Sequence, residues 1–212
     1  MKTNDLIAAL AADAPARPMA LGTIWTLALV PATLIALAVM YFTIGPREDI
    51  AAAATTGRFL FKFVVTISLA GSAFLLLDNL ARPGASRPGQ WRWLLLAPVL
   101  LGAAIVLELM VQPAEQWSML TTGKNSLVCL VSVPMIGIGP LALIILALRR
   151  AAPTRPALAG VIAGVVAGGI AATFYAAHCT DDSPLFVATW YTLAIAMLAV
   201  IGGVAGKLFA RW

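Results

Sequence analysis

The sequence predicts an all-α polytopic membrane protein: six transmembrane helices joined by short loops, with both termini cytoplasmic. Three observations predict it. Of 212 residues, 61% are hydrophobic and 11% charged, less than half the roughly 25% charged content of soluble domains, so the chain cannot cover a water-facing surface. Six apolar stretches approach or exceed the roughly 20 residues that cross about 30 Å of hydrocarbon, and none shows the roughly ten-residue alternation of an outer-membrane barrel. Lys and Arg fall unequally between alternate loops, the asymmetry that sets orientation. A mean hydropathy of +0.95 leaves no soluble domain on either side, so no enzyme is expected. Two cysteines and one histidine exclude an iron–sulfur or haem array, and no phosphate-binding glycine loop or CxxC pair is present.

Residues 1–18 are a leader. Thr3 or Asn4 caps a short helix, Asp5 is favourable in its first turn, and Pro15 and Pro18 stop it. Leu6, Ile7 and Leu10 share one face. Helices this short are marginal in water, so this one orders when that face is buried, against a partner or against lipid headgroups, and otherwise frays.

The membrane domain covers 19–208, with spans at about 19–44, 59–77, 93–111, 126–147, 157–177 and 185–208 and a tail at 209–212. The first span follows acids Asp5 and Asp13 and lacks a small-residue cleavage site, which reads as a retained helix. The second and third carry Lys62 and Glu108, each about one turn from the same end. Their similar depth permits pairing, and intramembrane charges point either to an ion path or to a structural pair or snorkelling. The fourth contains Pro134 and Pro140 with Gly137 and Gly139, which predict a mid-helix bend and a hinge candidate. The fifth has Gly160, Gly164 and Gly168 at intervals of four, and the sixth Gly202 and Gly206. Such stripes let helices approach closely, within one chain or between copies. Trp91, Trp93, Trp117, Trp190 and Tyr191 fall near interfaces as an aromatic belt. Between spans lie loop signals such as Gly45-Pro46, Gln112-Pro113 and Arg155-Pro156.

On the side of the termini, ten Lys and Arg face three acids, and on the other four face six. The positive-inside rule makes the first side cytoplasmic. It also accounts for the basic pI, so no direct contact with nucleic acid is expected.

Cys129 lies near the outer end of the fourth span and Cys179 where the fifth exits on the same side, 50 residues later. Neighbouring helices would permit a disulfide, favoured in a bacterial periplasm. Together with His178 and Asp181 or Asp182, the two thiols also form a ligand set for a zinc- or cadmium-like ion. Cysteine in a membrane helix is commonly a small apolar filler, which describes Cys129 taken alone. Cys179 adjoins the chain's one histidine and two acids, and a low-pKa thiol facing an oxidising compartment suits a redox or metal sensor.

The stretch Cys129 to Tyr191, with Pro134, Ala152-Pro153, Pro156, Gly160, Gly164, Tyr175, His178-Cys179, Asp182, Phe186 and Trp190-Tyr191, together with the leader, resembles the NrsF family. The resemblance implies a bacterial inner-membrane anti-sigma factor that holds an extracytoplasmic-function sigma factor of the sigma F type inactive. It further implies release once both thiols, Cys129 and Cys179, respond to a heavy metal or oxidant such as cadmium or dichromate, with no constitutive cofactor. His178 and Asp182 enter as helpers by position, and Asp5, Leu6, Ile7 and Leu10 as the sigma-binding face. An alternative reading is a small ion or metabolite transporter or channel using Lys62 and Glu108. A quinone-linked thiol oxidoreductase is disfavoured by the lack of CxxC.

Overall fold

A computed structural model describes residues 3–12, 19–82, 89–151 and 153–210. They are helical throughout, with no strand among them. A leader helix α1 (Thr3–Ala12) precedes α2 (Leu21–Thr43), the short α3 (Ile50–Ala53) and α4 (Gly57–Leu80). A 3-10 turn (Gln90–Leu95) leads into α5 (Leu96–Val111), and α6 (Trp117–Thr122) leads into α7 (Ser126–Ala151). The chain then forms α8 (Pro156–Ala176), the single turn α9 (Pro184–Phe186), a π turn (Val187–Tyr191) and α10 (Thr192–Phe209). Among the described residues six segments are long and apolar enough to cross a membrane.

The composition of α8 explains its place. Two thirds of its 21 residues are Ala, Gly or Val, with buried residues on every face, and it packs against α2, α4, α7 and α10. In lipid, where apolar burial drives little, close backbone approach holds helices together. The glycine stripes provide it within this chain: a Cβ on Gly160 would collide with the Gly202 carbonyl, one on Gly206 with that of Pro156, and one on Gly164 with that of Leu198. A Cβ on Gly168 would instead press on the side chain of Ile195 of α10. By contrast, α5 buries Ala97 and Glu108 and leaves Val99, Val106, Leu107, Met110 and Val111 exposed, as a lipid-facing helix would. In α7 the helix continues past both Pro134 and Pro140, and Pro140 is buried.

Two ends of the bundle can be told apart. At one end Gly45, with φ of +65°, turns the chain sharply after α2, a conformation glycine adopts without strain. This sends Arg47 across to the end of α8, where its amide donates to the Ala177 carbonyl at 3.1 Å. At the other end Trp25, early in α2, donates to Asp78, late in α4, at 2.9 Å, and Gly206 of α10 abuts Pro156 at the start of α8. The start of α2 and the end of α10 therefore lie at one end of the bundle, and the α8–α9 loop with Cys179 lies at the opposite end.

Candidate functional site

The site is built around the exit of α8. Helical bonds continue just past Ala176: the amides of His178 and Cys179 donate to the Tyr175 carbonyl at 2.9 and 3.0 Å. Cys179 is thereby pinned at the start of the α8–α9 loop. Both thiols are free and fully buried, and Cys129, in the first turn of α7, donates its amide at 2.8 Å to the Asn125 carbonyl, which also accepts the Tyr175 hydroxyl at 3.4 Å. The rings of Tyr175 and Tyr191 stack edge-on, 5.6 Å between centroids, and the Tyr191 hydroxyl is buried without a hydrogen-bond partner among the described residues. The Cys179 thiol donates to the Asp181 carbonyl at 3.7 Å, so it is held as the neutral thiol. Burial pushes its pKa up, against the opposing pull of the Lys62 ammonium.

Charged side chains close the loop over the sulfurs. Lys62, whose side chain is 1% exposed, donates to the Cys179 carbonyl at 2.8 Å and pairs with Asp182 at 2.5 Å. Arg47 bonds the same carbonyl at 3.3 Å, Asp182 at 3.0 Å and Asp49 at 2.6 Å. Its hydrogen bonds to Asp49 first, and then to Asp182, raise its already high pKa. Phe59 lies under both cations, 5.6 Å from the Arg47 guanidinium carbon and 5.3 Å from the Lys62 nitrogen. From the other side Asp181 accepts the amides of Lys124 and Asn125 at 3.0 and 2.8 Å and the Asn125 side chain at 2.8 Å. One carboxylate thus ties the Cys179 loop to the start of α7, just ahead of the turn that carries Cys129.

Several expectations are corrected by this geometry. Lys62 and Glu108 do not pair: Lys62 reaches across to Asp182, and Glu108 stands 3.4 Å from Arg58. The structural pair that their similar depth permits is therefore not formed. The four-ligand set is not assembled either. His178 Nδ1 donates to the Gly45 carbonyl at 2.9 Å and Asp182 is taken up by Lys62 and Arg47. Among the described residues no group of three or more His, Cys, Asp and Glu side chains is placed to hold a metal ion. Cys179 is also neither exposed nor low in pKa, because burial disfavours the thiolate more than the Lys62 ammonium favours it. In the leader, Asp5 lies in the first turn of α1 and Leu6 and Ile7 are exposed, while the Leu10 side chain lies outside the described residues. Sequence reasoning missed Arg47, Asn125 and Tyr191 as parts of the site. Arg47 had a signal, since it follows a Gly-Pro helix stop at the level of the cysteines.

The family model described as "NrsF: Negative regulator of sigma F" matches residues 10–212. The chain is also 36% identical over 220 residues to the "Anti-sigma-F factor NrsF" of Caulobacter vibrioides (strain NA1000 / CB15N), covering the full length of both. The chain belongs to the NrsF family. It is 35% identical over 222 residues, again over the full length of both chains, to the "Probable anti-sigma-F factor NrsF" of Azospira oryzae (strain ATCC BAA-33 / DSM 13638 / PS). No solved structure matches. Membership in NrsF places the chain in a family of negative regulators of a sigma factor.

Proposed function

We infer that this NrsF member is an inner-membrane anti-sigma factor that sequesters an extracytoplasmic-function sigma factor at its cytoplasmic leader. It releases that factor when Cys129 and Cys179 react on the periplasmic side. The observation that carries the reading is the placement of both thiols in one buried cluster at the end of the bundle opposite the leader. The excess of Lys and Arg at the leader end, including Arg149, Arg150, Arg155 and Lys207, supports its cytoplasmic assignment. The relatives' names support the sigma factor as partner.

The chemistry follows from the resting state. Oxidation joins the sulfurs and passes two electrons to the oxidant and two protons to solvent; a cadmium-like ion instead displaces the two protons and takes both thiolates as ligands. Either change removes the thiol proton that now bonds the Asp181 carbonyl, and so disturbs the loop that Asp181 and Asp182 fasten to α7, α4 and Arg47. His178 and Asp182 act by holding this loop rather than by ligating. α8 transmits the disturbance along its glycine seam with α10. Moving a two-state equilibrium from 1:99 to 99:1 takes about 5.5 kcal/mol, within reach of a disulfide or a thiolate–metal site.

The test is the double variant Cys129→Ser/Cys179→Ser. It is expected to co-purify the sigma factor as the unaltered chain does and to keep it after cadmium or dichromate exposure. Normal release from the double variant would refute the sensor assignment, and loss of capture would show that the thiols serve folding instead.

A further inference from the structure

Arg58 and Glu108 lie outside the thiol site and take no part in the chemistry assigned to it. Glu108 sits one turn before the end of α5 with its side chain 2% exposed, and neither carboxylate oxygen has a hydrogen-bond partner. The Arg58 guanidinium, in the first turn of α4, approaches to 3.4 Å without forming a hydrogen bond and is itself half exposed. A buried carboxylate with no donor is unfavourable, so the pair is electrostatically matched and yet incomplete.

Beside it a cavity of about 340 Å³ is walled by Phe61, Ala104, Leu107, Val111 and Pro184, with Gly57 at its rim. A Cβ on Gly57 would meet nothing within 4 Å, and Leu107 and Val111 are 65% and 75% exposed, so the cavity opens sideways towards lipid. Its depth, about one helical turn or ~5 Å below the helix ends, is that of the headgroup boundary. The carboxylate calls for a cation bearing N–H donors, the guanidinium for a phosphate, and the walls for an alkyl chain. A phospholipid with a primary ammonium headgroup meets all three requirements. A glycerol headgroup has no cation, and a choline headgroup has no N–H.

We propose that Arg58 and Glu108 form a binding site for a phosphatidylethanolamine-type lipid. The headgroup ammonium donates to Glu108, the phosphate accepts from Arg58, and an acyl chain runs along the cavity between α4 and α5. Arg58, being half exposed, turns outward to admit the ammonium.

The experiment presents the purified full chain in detergent with equimolar phosphatidylethanolamine, phosphatidylcholine and phosphatidylglycerol and reads retained lipid by native mass spectrometry. The expected result is about tenfold retention of the ethanolamine lipid over the choline lipid, one factor of ten being about 1.4 kcal/mol. Glu108→Gln should abolish that preference, and Arg58→Met should weaken retention of the ethanolamine and glycerol lipids alike. Glycerophosphoethanolamine, which has the headgroup and no acyl chain, should not compete. Equal retention of ethanolamine and choline lipids by the unaltered chain overturns the proposal, as does a preference that survives in Glu108→Gln. Should that variant fail to fold, successive N-methylation of the lipid on the unaltered chain replaces it: stepwise loss of retention supports the site, and a flat series overturns it.

Discussion

Lys62 brings its ammonium to 2.8 Å from the Cys179 carbonyl and 2.5 Å from Asp182 inside an apolar helix face. A charge so placed is tolerable only while its partners remain, so removing it leaves Asp182 with Arg47 alone. Lys62→Met is expected to cost about 3 kcal/mol, the usual penalty for breaking a buried ion pair. It should lower the thermal midpoint in detergent and speed maleimide labelling of Cys179. Unchanged labelling would mean that the cation does not hold the loop over the thiol. A pH dependence follows from Cys179 itself. Burial raises its folded-state pKa, so above the unfolded value of about 8.5 the unfolded chain has lost a proton that the folded chain still binds. The stabilisation is complete below about pH 8.5 and is lost as pH rises through the folded value. The unfolding midpoint should therefore fall between about pH 7.5 and 9.5, and by less in Cys179→Ser. An identical fall in that variant would place the dependence on other groups.

Packing of whole helices makes a sharper distinction between glycines than their spacing does. Gly160 and Gly164 of α8 have α10 backbone where a Cβ would go, whereas Gly71 of α4 has open space. Gly160→Ala is expected to destabilise by about 1–3 kcal/mol through overpacking, and Gly71→Ala to be neutral or to gain up to about 1 kcal/mol of helix propensity. Unfolding of the three chains side by side checks this, and equal effects would deny that the seam is tight. The seam was legible in the sequence because small residues four apart declare a close helix face locally. The spans were legible for the same reason, although Gly57–Leu80 and Ser126–Ala151 extend a turn beyond their apolar runs, since helical hydrogen bonding continues into polar ends. Partners at the cysteine end were not legible. Asp182 with Lys62, and His178 with Gly45, are 120 and 133 residues apart, and their choice depends on how α2, α4 and α8 are arranged. The π turn at Val187–Tyr191, which places Tyr191 against Tyr175 and Phe186, leaves no mark in composition.

The molecule as a whole has two separated ends joined by α2 and α8. At one end the thiols are sealed under a charged loop; at the other, α1 displays Leu6 and Ile7, 44% and 59% exposed. Apolar side chains on a helix of ten residues contribute nothing to its stability while they face water, and such a helix is marginal alone. On the proposed reading, burial of this face against the sigma factor is the output, and it uses side chains separate from those that take the input. The two can therefore be broken separately. Ile7→Asp is expected to weaken sigma-factor co-purification by at least about tenfold, since a buried isoleucine contributes about 1.5–3 kcal/mol. It should leave the rate of Cys179 labelling and the thermal midpoint of the membrane domain unchanged. Cys129→Ser/Cys179→Ser should show the converse, full capture without release. If Ile7→Asp retains the partner in full, the leader face is not the docking surface. If it also alters thiol labelling, the two ends are coupled at rest, and the sealed cluster reports the state of the leader as well as that of the periplasm.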